Sequence, residues 1–341
     1  MGAKVAIVGY GTIGKRVADA VALQDDMEIA GVVKTRVSFE LSVAKQKEYP
    51  IYASDQKSLS LFRGVGIDVQ GRVEELLKRT DIVVDCTPKP IGAKNRESLY
   101  EPYKMKAIYQ GGEKASVSEV SFVAQCNYKE AFGKNHVRVV SCNTTGMSRT
   151  LYALHQAFGI KRARATLVRR GTDPGQVKRG PINAIVPTFE LPSHHGPDVR
   201  TVIPEIEVFT TSLVVPTTIM HMHALSVRLE KEATTKDVLD VFANTPRVRL
   251  VKAWDNVHST AAIMEMSRDF GHPRGDMMEI CVWEEGVGSY HDELFYMQAV
   301  HQESNVVPEN VDAIRAMLEI TDDPEESMKK TDESLGLKRW W

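Results

Sequence analysis

A glycine-rich turn near the N-terminus constrains the fold of this chain more than any other feature. Gly9, Gly11 and Gly14 form a G-x-G-x-x-G pattern directly after the apolar segment 4–8. Between a strand and a helix, the first two glycines allow a tight turn and a close approach of the backbone to a pyrophosphate, and the third allows close helix packing. The helix N-terminus then offers unpaired N–H groups to the anion. The pattern predicts a dinucleotide-binding βαβ unit, with a glycine-rich turn that binds nothing as the alternative.

The two halves of the chain differ in hydrophobic pattern. Short apolar segments alternate with helical ones in the first half, which predicts a doubly wound Rossmann-type parallel sheet. After about residue 160 the segments lengthen and often alternate apolar with polar, which predicts an α+β catalytic domain with a mostly antiparallel sheet. The expected strands are 4–8, 28–33, 81–86, 106–109, 137–140, 163–170, 205–215, 218–229, 248–253 and 277–283; the expected helices are 144–158, 235–244, 259–270 and 308–320.

These patterns suggest three parts of the chain. We expect a dinucleotide-binding domain over residues 1–140, a catalytic domain over 141–302, and a C-terminal helix and tail over 303–341. The segment 322–341 is charged and shows no period before its two terminal tryptophans.

Composition excludes several classes of partner. The net charge of −2 over 341 residues gives no case for nucleic acid or a membrane surface, although a local basic cluster can still bind a small phosphorylated ligand. No apolar run approaches the roughly 18 residues needed to span a bilayer. The cysteines lack C-x-x-C spacing, which argues against a disulfide framework or a metal site and predicts a cytoplasmic protein.

The end of the second predicted strand bears on the choice of cofactor. An NAD-selective site usually carries Asp or Glu there, to accept the ribose hydroxyls. This chain has Lys34, Thr35 and Arg36 instead, all able to donate to a phosphate. We therefore expect a site that prefers NADP and tolerates NAD; a solvated basic loop is the alternative.

Cys142 is the candidate nucleophile. It lies between a predicted strand and the helix 144–158, where the positive end of the helix dipole is expected to lower the thiol pKa. Ser141, Asn143 and Thr144 beside it can orient a substrate oxygen. An inert buried cysteine is the alternative.

Histidines supply candidates for the acid–base group. His221 and His223 are two residues apart on a predicted strand and therefore point to one face. Three roles are compatible with this pair: a catalytic base, zinc ligands, or hydrogen-bonded residues. Basic and histidine-rich segments at 169–171 and 193–196 suit a substrate phosphate, with an exposed strand edge as the alternative for the arginine pair.

Eight segments together resemble the archaeal type of phosphorylating glyceraldehyde-3-phosphate dehydrogenase over nearly the whole chain. SCNTTG at 141–146 is the most specific. The segments are GYGTIGKRVADA at 9–20, DCTPKPIGAKN at 85–95, YQGGEK at 109–114, VVSCNTTGMSRT at 139–150, RRGTDPGQVKRGPINAI at 169–185, LPSHHGPDV at 191–199, VPTTIMHMH at 215–223 and MQAVHQESNVVPENVDAIRA at 297–316.

The resemblance implies a reaction and a set of roles. Cys142 adds to glyceraldehyde 3-phosphate, one histidine of the His221 and His223 pair acts as the base, and inorganic phosphate cleaves the thioester to give an acyl phosphate. We place the role of base on His221, with His223 as the alternative. The resemblance also implies a homotetramer and a C-terminal helix that packs on the dinucleotide-binding domain. The implied substrate contacts are Ser141, Asn143, His194 and His195, and the implied cofactor contacts include Thr12, Ile13, Gly112, Arg170 and Gln302.

Other functions remain compatible with parts of the pattern. Aspartate-semialdehyde dehydrogenase and N-acetylglutamyl-phosphate reductase use the same Cys–His thioester logic on a similar two-domain plan. A dinucleotide-binding sensor without catalysis is a rival of a different class, and the presence of both Cys142 and His221 argues against it.

Overall fold

The computed structural model describes residues 2–110, 112–172 and 180–337. The described residues form two compact units: those up to Val140 together with those from Val307 onward, and those in Ser141–Val306. The polypeptide returns from the second unit to the first between residues 306 and 307, whereas the sequence predicted this boundary between 302 and 303. The residues between belong to the second unit because Asn305 bonds there, with its amide donating to the Cys142 carbonyl and its own carbonyl accepting from Arg149.

The elements alternate in the first part of the chain and become longer in the second. In chain order, the strands are β1 (Ala3–Val8), β2 (Met27–Lys34), β3 (Ile51–Ala53), β4 (Gly71–Arg72), β5 (Ile82–Asp85), β6 (Lys106–Gln110), β7 (Val120–Phe122), β8 (His136–Val139), β9 (Ile160–Arg170), β10 (Val186–Pro187), β11 (Val208–Val215), β12 (His221–Leu229), β13 (Val248–Val251), β14 (Ile280–Trp283), β15 (Gly288–Tyr290) and β16 (Glu293–Val300). The α-helices are α1 (Thr12–Ala22), α2 (Phe39–Gln46), α3 (Gln56–Gly64), α4 (Val73–Leu77), α5 (Ile91–Asn95), α6 (Ala124–Asn127), α7 (Cys142–Phe158), α8 (His195–Arg200), α9 (Thr235–Asn244), α10 (Thr260–Asp269), α11 (Val307–Met317) and α12 (Pro324–Ser334).

The first unit confirms the predicted Rossmann-type sheet. Its strands lie in the order β4-β3-β2-β1-β5-β6-β8-β7, and every pairing among the described residues is parallel. Strand order reverses between β1 and β5, and in such sheets ligands bind at the carboxyl ends of the strands beside this switch point. The glycine-rich turn follows β1 and therefore lies at that position.

The two C-terminal helices belong to the first unit. The Arg315 side chain on α11 is 1% exposed and donates to Asp26 and Gln24, which lie in the turn between α1 and β2. Its guanidinium also donates to Thr331 on α12. This buried cluster ties both helices to the start of the sheet.

Helix α12 corrects the expectation of an aperiodic tail. It begins after Asp323, whose side chain accepts from the Glu325 N–H, with Pro324 at the first position. Its buried side carries Ser327 and Thr331, which both donate to the Asp312 carboxylate. Because the buried face is mainly polar, hydrophobic period gave no signal for this helix.

The second unit is built on a mixed sheet in the order β10-β11-β9-β12-β16-β14-β13, with β15 paired to β16. Its pairings are antiparallel except β9 with β11 and β13 with β14, which agrees with the mostly antiparallel sheet expected. Helix α7 begins at Cys142 and contacts β12 and β16. The start of α7 and the histidines of β12 are therefore parts of one folded unit.

No helix in the described ranges is long and apolar enough to cross a membrane.

Candidate functional site

The turn after β1 has the shape of an anion cradle. Gly9 has φ of +92°, and a Cβ there would lie 2.8 Å from the Cys86 carbonyl carbon. A Cβ on Gly14 would lie 2.2 Å from the Gly9 carbonyl oxygen, whereas one on Gly11 would meet nothing within 4 Å. Helix α1 begins at Thr12 without a side-chain cap, so its first N–H groups face this open space. The cradle fits the pyrophosphate of a dinucleotide.

An acidic residue lies beside the predicted ribose-recognition segment. Lys34 Nζ is 3.3 Å from Glu40 Oε2, and both side chains are 16% exposed, while Thr35 and Arg36 are exposed. Burial opposes ionisation of Glu40, but hydrogen bonding from Ser38 and the charge of Lys34 hold its pKa below the usual value. Glu40 was not predicted as part of this segment; it lies six residues after Lys34, in the first turn of α2.

The cysteine lies where the sequence predicted, at the N-terminus of a helix. Ser141 is the N-cap of α7, and its side chain accepts from the Thr144 N–H. The expected fall in thiol pKa is wrong for this structure: burial raises the pKa of Cys142 to about 11, against the opposing effects of Arg170, the Asn143 N–H and Arg169. Desolvation of the sulfur outweighs the two arginine charges and the backbone hydrogen bonds that lower the pKa.

His221 is buried and shares an arginine with Cys142. Its Nδ1 accepts a 3.0 Å hydrogen bond from the Arg170 backbone N–H, and the charge of Arg170 lowers the pKa of the Cys142 thiol more than that of Arg169 does. Burial, followed by the charges of His223, Arg170, Arg169 and His195, lowers the pKa of His221 well below its usual value. The ring is therefore neutral near pH 7.

His223 and His195 both contact Asn143, the residue after the nucleophile. His223 Nε2 is 2.9 Å from Asn143 Oδ1, and Asn143 Nδ2 is 3.3 Å from His195 Nε2. His194 is exposed and its ring stacks on His195 with centroids 3.9 Å apart. One histidine of each sequence pair therefore contacts Asn143: His223 of the pair His221 and His223, and His195 of the pair His194 and His195.

Two residues expected at the cofactor belong to the second unit. Arg170 ends β9, and Gln302 bonds the segment before β12, accepting from the Met220 N–H and donating to the Thr218 carbonyl. Gly112 follows β6 in the first unit, at the carboxyl edge of the parallel sheet. Residues 173–179 of the arginine-containing motif lie outside the described residues.

Two buried polar residues near Asn143, Gln298 on β16 and Thr210 on β11, were not predicted from the sequence. Ser193, which is also fully buried, lies in the predicted segment 193–196. A polar residue inside an otherwise apolar strand, as in the segment FYMQAV, was the available signal.

Comparisons with known proteins agree with this arrangement. Residues 141–285 match the C-terminal domain of glyceraldehyde 3-phosphate dehydrogenase, and residues 3–109 match the N-terminus of dihydrodipicolinate reductase. The fold is similar to that of aspartate semialdehyde dehydrogenase II from Vibrio cholerae, with a TM-score of 0.67 at 14% identity, covering 94% of this chain and 99% of that one.

Full-length relatives decide the family. The chain is 54% identical to the glyceraldehyde-3-phosphate dehydrogenase of Methanococcoides burtonii, over 98% of this chain and 99% of that protein. It is 54% identical to the enzyme of Pyrococcus abyssi, over 99% of each chain, and 52% identical to that of Methanothermus fervidus, over 98% of each. Dinucleotide-binding and dehydrogenase domains together indicate an oxidoreductase that uses NAD(P). This chain belongs to the glyceraldehyde-3-phosphate dehydrogenase family.

Proposed function

We propose that the protein catalyses the reversible, phosphorylating oxidation of glyceraldehyde 3-phosphate to 1,3-bisphosphoglycerate through a thioester on Cys142. The observation that carries this proposal is the shared position of Arg170, which bonds His221 through its backbone and acts on the Cys142 thiol through its charge. A nucleophile at a helix start, beside cations and a neutral imidazole, suits addition to an aldehyde.

The first step is attack by sulfur. The thiol loses its proton to solvent, favoured by Arg170 and Arg169, and the thiolate forms a bond to the aldehyde carbon while the carbonyl π pair becomes an alkoxide. The backbone N–H groups at the start of α7 and the Asn143 amide are the nearby donors for that oxygen.

The hydrogen bond from Arg170 revises the role expected for His221. Because Nδ1 accepts this bond, the neutral ring carries its hydrogen on Nε2. We assign His221 as the donor that stabilises the alkoxide, instead of the base expected from the sequence. No further proton must leave, since the thiol proton departed before the addition.

A bound dinucleotide would supply the acceptor for the hydride that leaves the reacting carbon. The thioester left on Cys142 is then attacked by an oxygen of inorganic phosphate; the C–S bond breaks, the acyl phosphate departs and the thiolate is restored. Arg169 and Arg170 favour the approach of the anionic nucleophile and stabilise the departing thiolate.

The substrate phosphate is assigned to the His194–His195 segment. His194 is exposed, and the charge of Arg169 acts on His195 beside it. Both ring nitrogens of His195 bond within the protein, so we expect His194 to make the direct contact.

For the dinucleotide, we propose a preference for NADP with NAD tolerated. Gly9, Gly11, Gly14, Thr12 and Ile13 would hold the pyrophosphate, while Lys34 and Thr35 would meet the 2′-phosphate. Gly112, Arg170 and Gln302 complete the proposed contacts.

Steady-state kinetics with purified enzyme tests the function. We expect reduction of NADP and of NAD with glyceraldehyde 3-phosphate that depends on inorganic phosphate, and no comparable rate with aspartate semialdehyde. Cys142→Ser should abolish turnover, because an alcohol has almost no anionic fraction at neutral pH. Cys126→Ser, at a partly exposed cysteine of the first unit, is the matched control. Phosphate-independent oxidation, or activity retained in Cys142→Ser, would refute the proposal.

A further inference from the structure

A chain of buried hydrogen bonds runs through the second unit and includes the residue after the nucleophile. Gln298 Nε2 is 3.0 Å from His223 Nδ1, and His223 Nε2 is 2.9 Å from Asn143 Oδ1. Asn143 Nδ2 is 3.3 Å from His195 Nε2, and His195 Nδ1 is 3.2 Å from Ser193 Oγ. The five side chains are at most 3% exposed, so no solvent replaces these bonds.

The side chains at the two ends of this hydrogen-bond chain determine which atom donates and which accepts in every bond along it. An amide nitrogen only donates, so Gln298 makes His223 Nδ1 an acceptor and leaves the ring hydrogen on Nε2, facing Asn143 Oδ1. Asn143 Nδ2 likewise makes His195 Nε2 an acceptor, and His195 then donates from Nδ1 to Ser193. The two histidines therefore hold opposite tautomers.

Both ends of the chain are anchored in the same direction. The Gln298 carbonyl oxygen accepts from the Thr150 hydroxyl at 2.9 Å, and the Tyr296 hydroxyl donates to Thr150 at 3.1 Å, which favours Thr150 as the donor toward Gln298. At the other end Ser193 donates to Thr210 Oγ1 at 2.8 Å, and Thr210 donates in turn to the Ser193 carbonyl. Burial lowers the pKa of His223 to about 3, and burial followed by the charges of His194, Arg169 and His223 lowers that of His195 to about 2. Both rings stay neutral.

The direction of the chain decides what Asn143 presents. Its oxygen accepts from His223 and one Nδ2 hydrogen goes to His195, while the second Nδ2 hydrogen has no partner among the described residues. We propose that Gln298, His223, His195 and Ser193 are positioning residues that hold the Asn143 amide with this hydrogen available to the oxygen of a substrate bound on Cys142. The catalytic part of this inference rests on the proposed function; the ordered tautomers do not.

Gln298→Glu changes the side-chain shape little but reverses which atoms donate and which accept along the hydrogen-bond chain. A carboxylate still accepts from Thr150 but can only accept from His223, so Nδ1 must carry a hydrogen. A neutral His223 then presents a bare Nε2 to Asn143, and the amide turns over so that its nitrogen faces His223. Gln298→Met removes the anchor without reversing it. Ser212→Ala is the matched control, because Ser212 is a buried serine of the same sheet outside the chain.

Two measurements test the inference on the full-length enzyme. The first is the ¹⁵N spectrum of the histidine rings, assigned by single histidine substitutions, which reports tautomers without any turnover. We expect Nε2–H at His223 and Nδ1–H at His195 in the wild type, and Nδ1–H at His223 in Gln298→Glu. The second is kinetics: losing one oxyanion donor lowers kcat by about 100-fold to 1,000-fold, with the KM for the dinucleotide unchanged. Gln298→Met should fall between Gln298→Glu and wild type, and Ser212→Ala should match wild type.

The outcomes are distinct. The opposite tautomer at either ring of the wild type overturns the inference, as does a wild-type kcat in Gln298→Glu with His223 inverted. If Gln298→Glu does not fold, Gln298→Met carries the test, and an unchanged kcat there overturns the inference. Expected tautomers in a wild-type protein without phosphate-dependent activity would support the ordered chain while refuting the proposed function.

Discussion

At the scale of single residues, one backbone hydrogen bond supports the role that we propose for His221. The bond from the Arg170 N–H occupies Nδ1, and the lowered pKa keeps the ring neutral, so the ring hydrogen lies on Nε2. A donor in this position stabilises negative charge on the substrate oxygen without a change in its own charge.

Substitutions of His221 distinguish a donor from a base. His221→Ala should lower the rate of hydride transfer by about 100-fold to 1,000-fold, the usual cost of an oxyanion donor. His221→Gln should retain more activity, because its amide offers an N–H but has no basicity near pH 7. His223→Asn should cost less than His221→Ala. Single-turnover formation of NADPH measures the step, and equal losses in the Ala and Gln variants would restore the role of general base.

At the scale of secondary-structure elements, the end of β2 and the start of α2 form one electrostatic unit. Lys34 donates to Glu40, so part of its charge is already neutralised before any cofactor binds. The two members of the pair have opposite effects on NADP binding, because the lysine attracts a 2′-phosphate and the carboxylate repels it. Glu40 is therefore expected to limit the preference for NADP.

Cofactor selectivity should follow the charge of this pair. Lys34→Asp should raise the KM for NADP sharply and alter that for NAD little, since a charge-assisted hydrogen bond is worth about 1.5–3 kcal/mol. Glu40→Gln should shift preference toward NADP, because Lys34 is released from its partner. Initial rates with both cofactors measure the ratio of kcat/KM. Equal loss with NADP and NAD in Lys34→Asp would mean that Lys34 acts on the fold or on the pyrophosphate.

The cluster that holds α11 and α12 makes a prediction for stability. Arg315→Leu leaves the Asp26 and Asp312 carboxylates without their buried cation, which should cost about 3–5 kcal/mol. Burial opposes ionisation of Asp26, but Arg315 and Lys330 lower its pKa below 3.8. A lowered pKa stabilises the fold above pH 3.8, and this stability is lost as pH falls through the lowered value.

Urea unfolding at neutral and acid pH measures both effects. Arg315→Leu should be less stable at pH 7 and should lose less additional stability on acidification than the wild type. Arg315→Lys, which keeps the charge, is the control. A wild-type midpoint in Arg315→Leu would mean that the cluster contributes nothing to stability.

The elements that hydrophobic pattern did not predict have identifiable causes. Strand β16 lies in the middle of the second sheet, yet its buried Leu294 and Tyr296 alternate with exposed Phe295 and Met297, so both faces are apolar. Period-two alternation is then absent, and the strand was not predicted. The elements β1, α1 and α7 were predicted because their glycine, cap and strand signals depend only on residues that are close in sequence.

At the scale of the whole molecule, the open face of the second sheet is relevant to assembly. Phe209, Arg164, Ser226 and Phe295 are aligned across four strands by the registers of β11, β9, β12 and β16. Phe209 and Phe295 are 45% and 39% exposed, and Met297 in the next row is 47% exposed. Large exposed apolar groups on one face often mark a protein contact.

We predict a homotetramer, as the family resemblance implies. Sedimentation equilibrium should give four times the chain mass of 38.0 kDa. Phe295→Asp should lower that mass if the open face is an interface, since a charge would be buried there without a partner. A wild-type species of 38.0 kDa would contradict the tetramer.

Local spacing alone determined the glycine-rich turn, the position of Cys142 beside a helix N-terminus, and a parallel sheet followed by a mostly antiparallel one, because each signal involves residues close in sequence. Only the tertiary structure decided the state of the reactive groups. Burial, which depends on packing from distant elements, reversed the expected pKa shift of Cys142. The bonds from Asn143 to His195 and His223, and from His223 to Gln298, span 52 to 80 positions, so no local pattern could reveal them. Ring tautomers and amide orientation follow from those partners, and therefore from the fold.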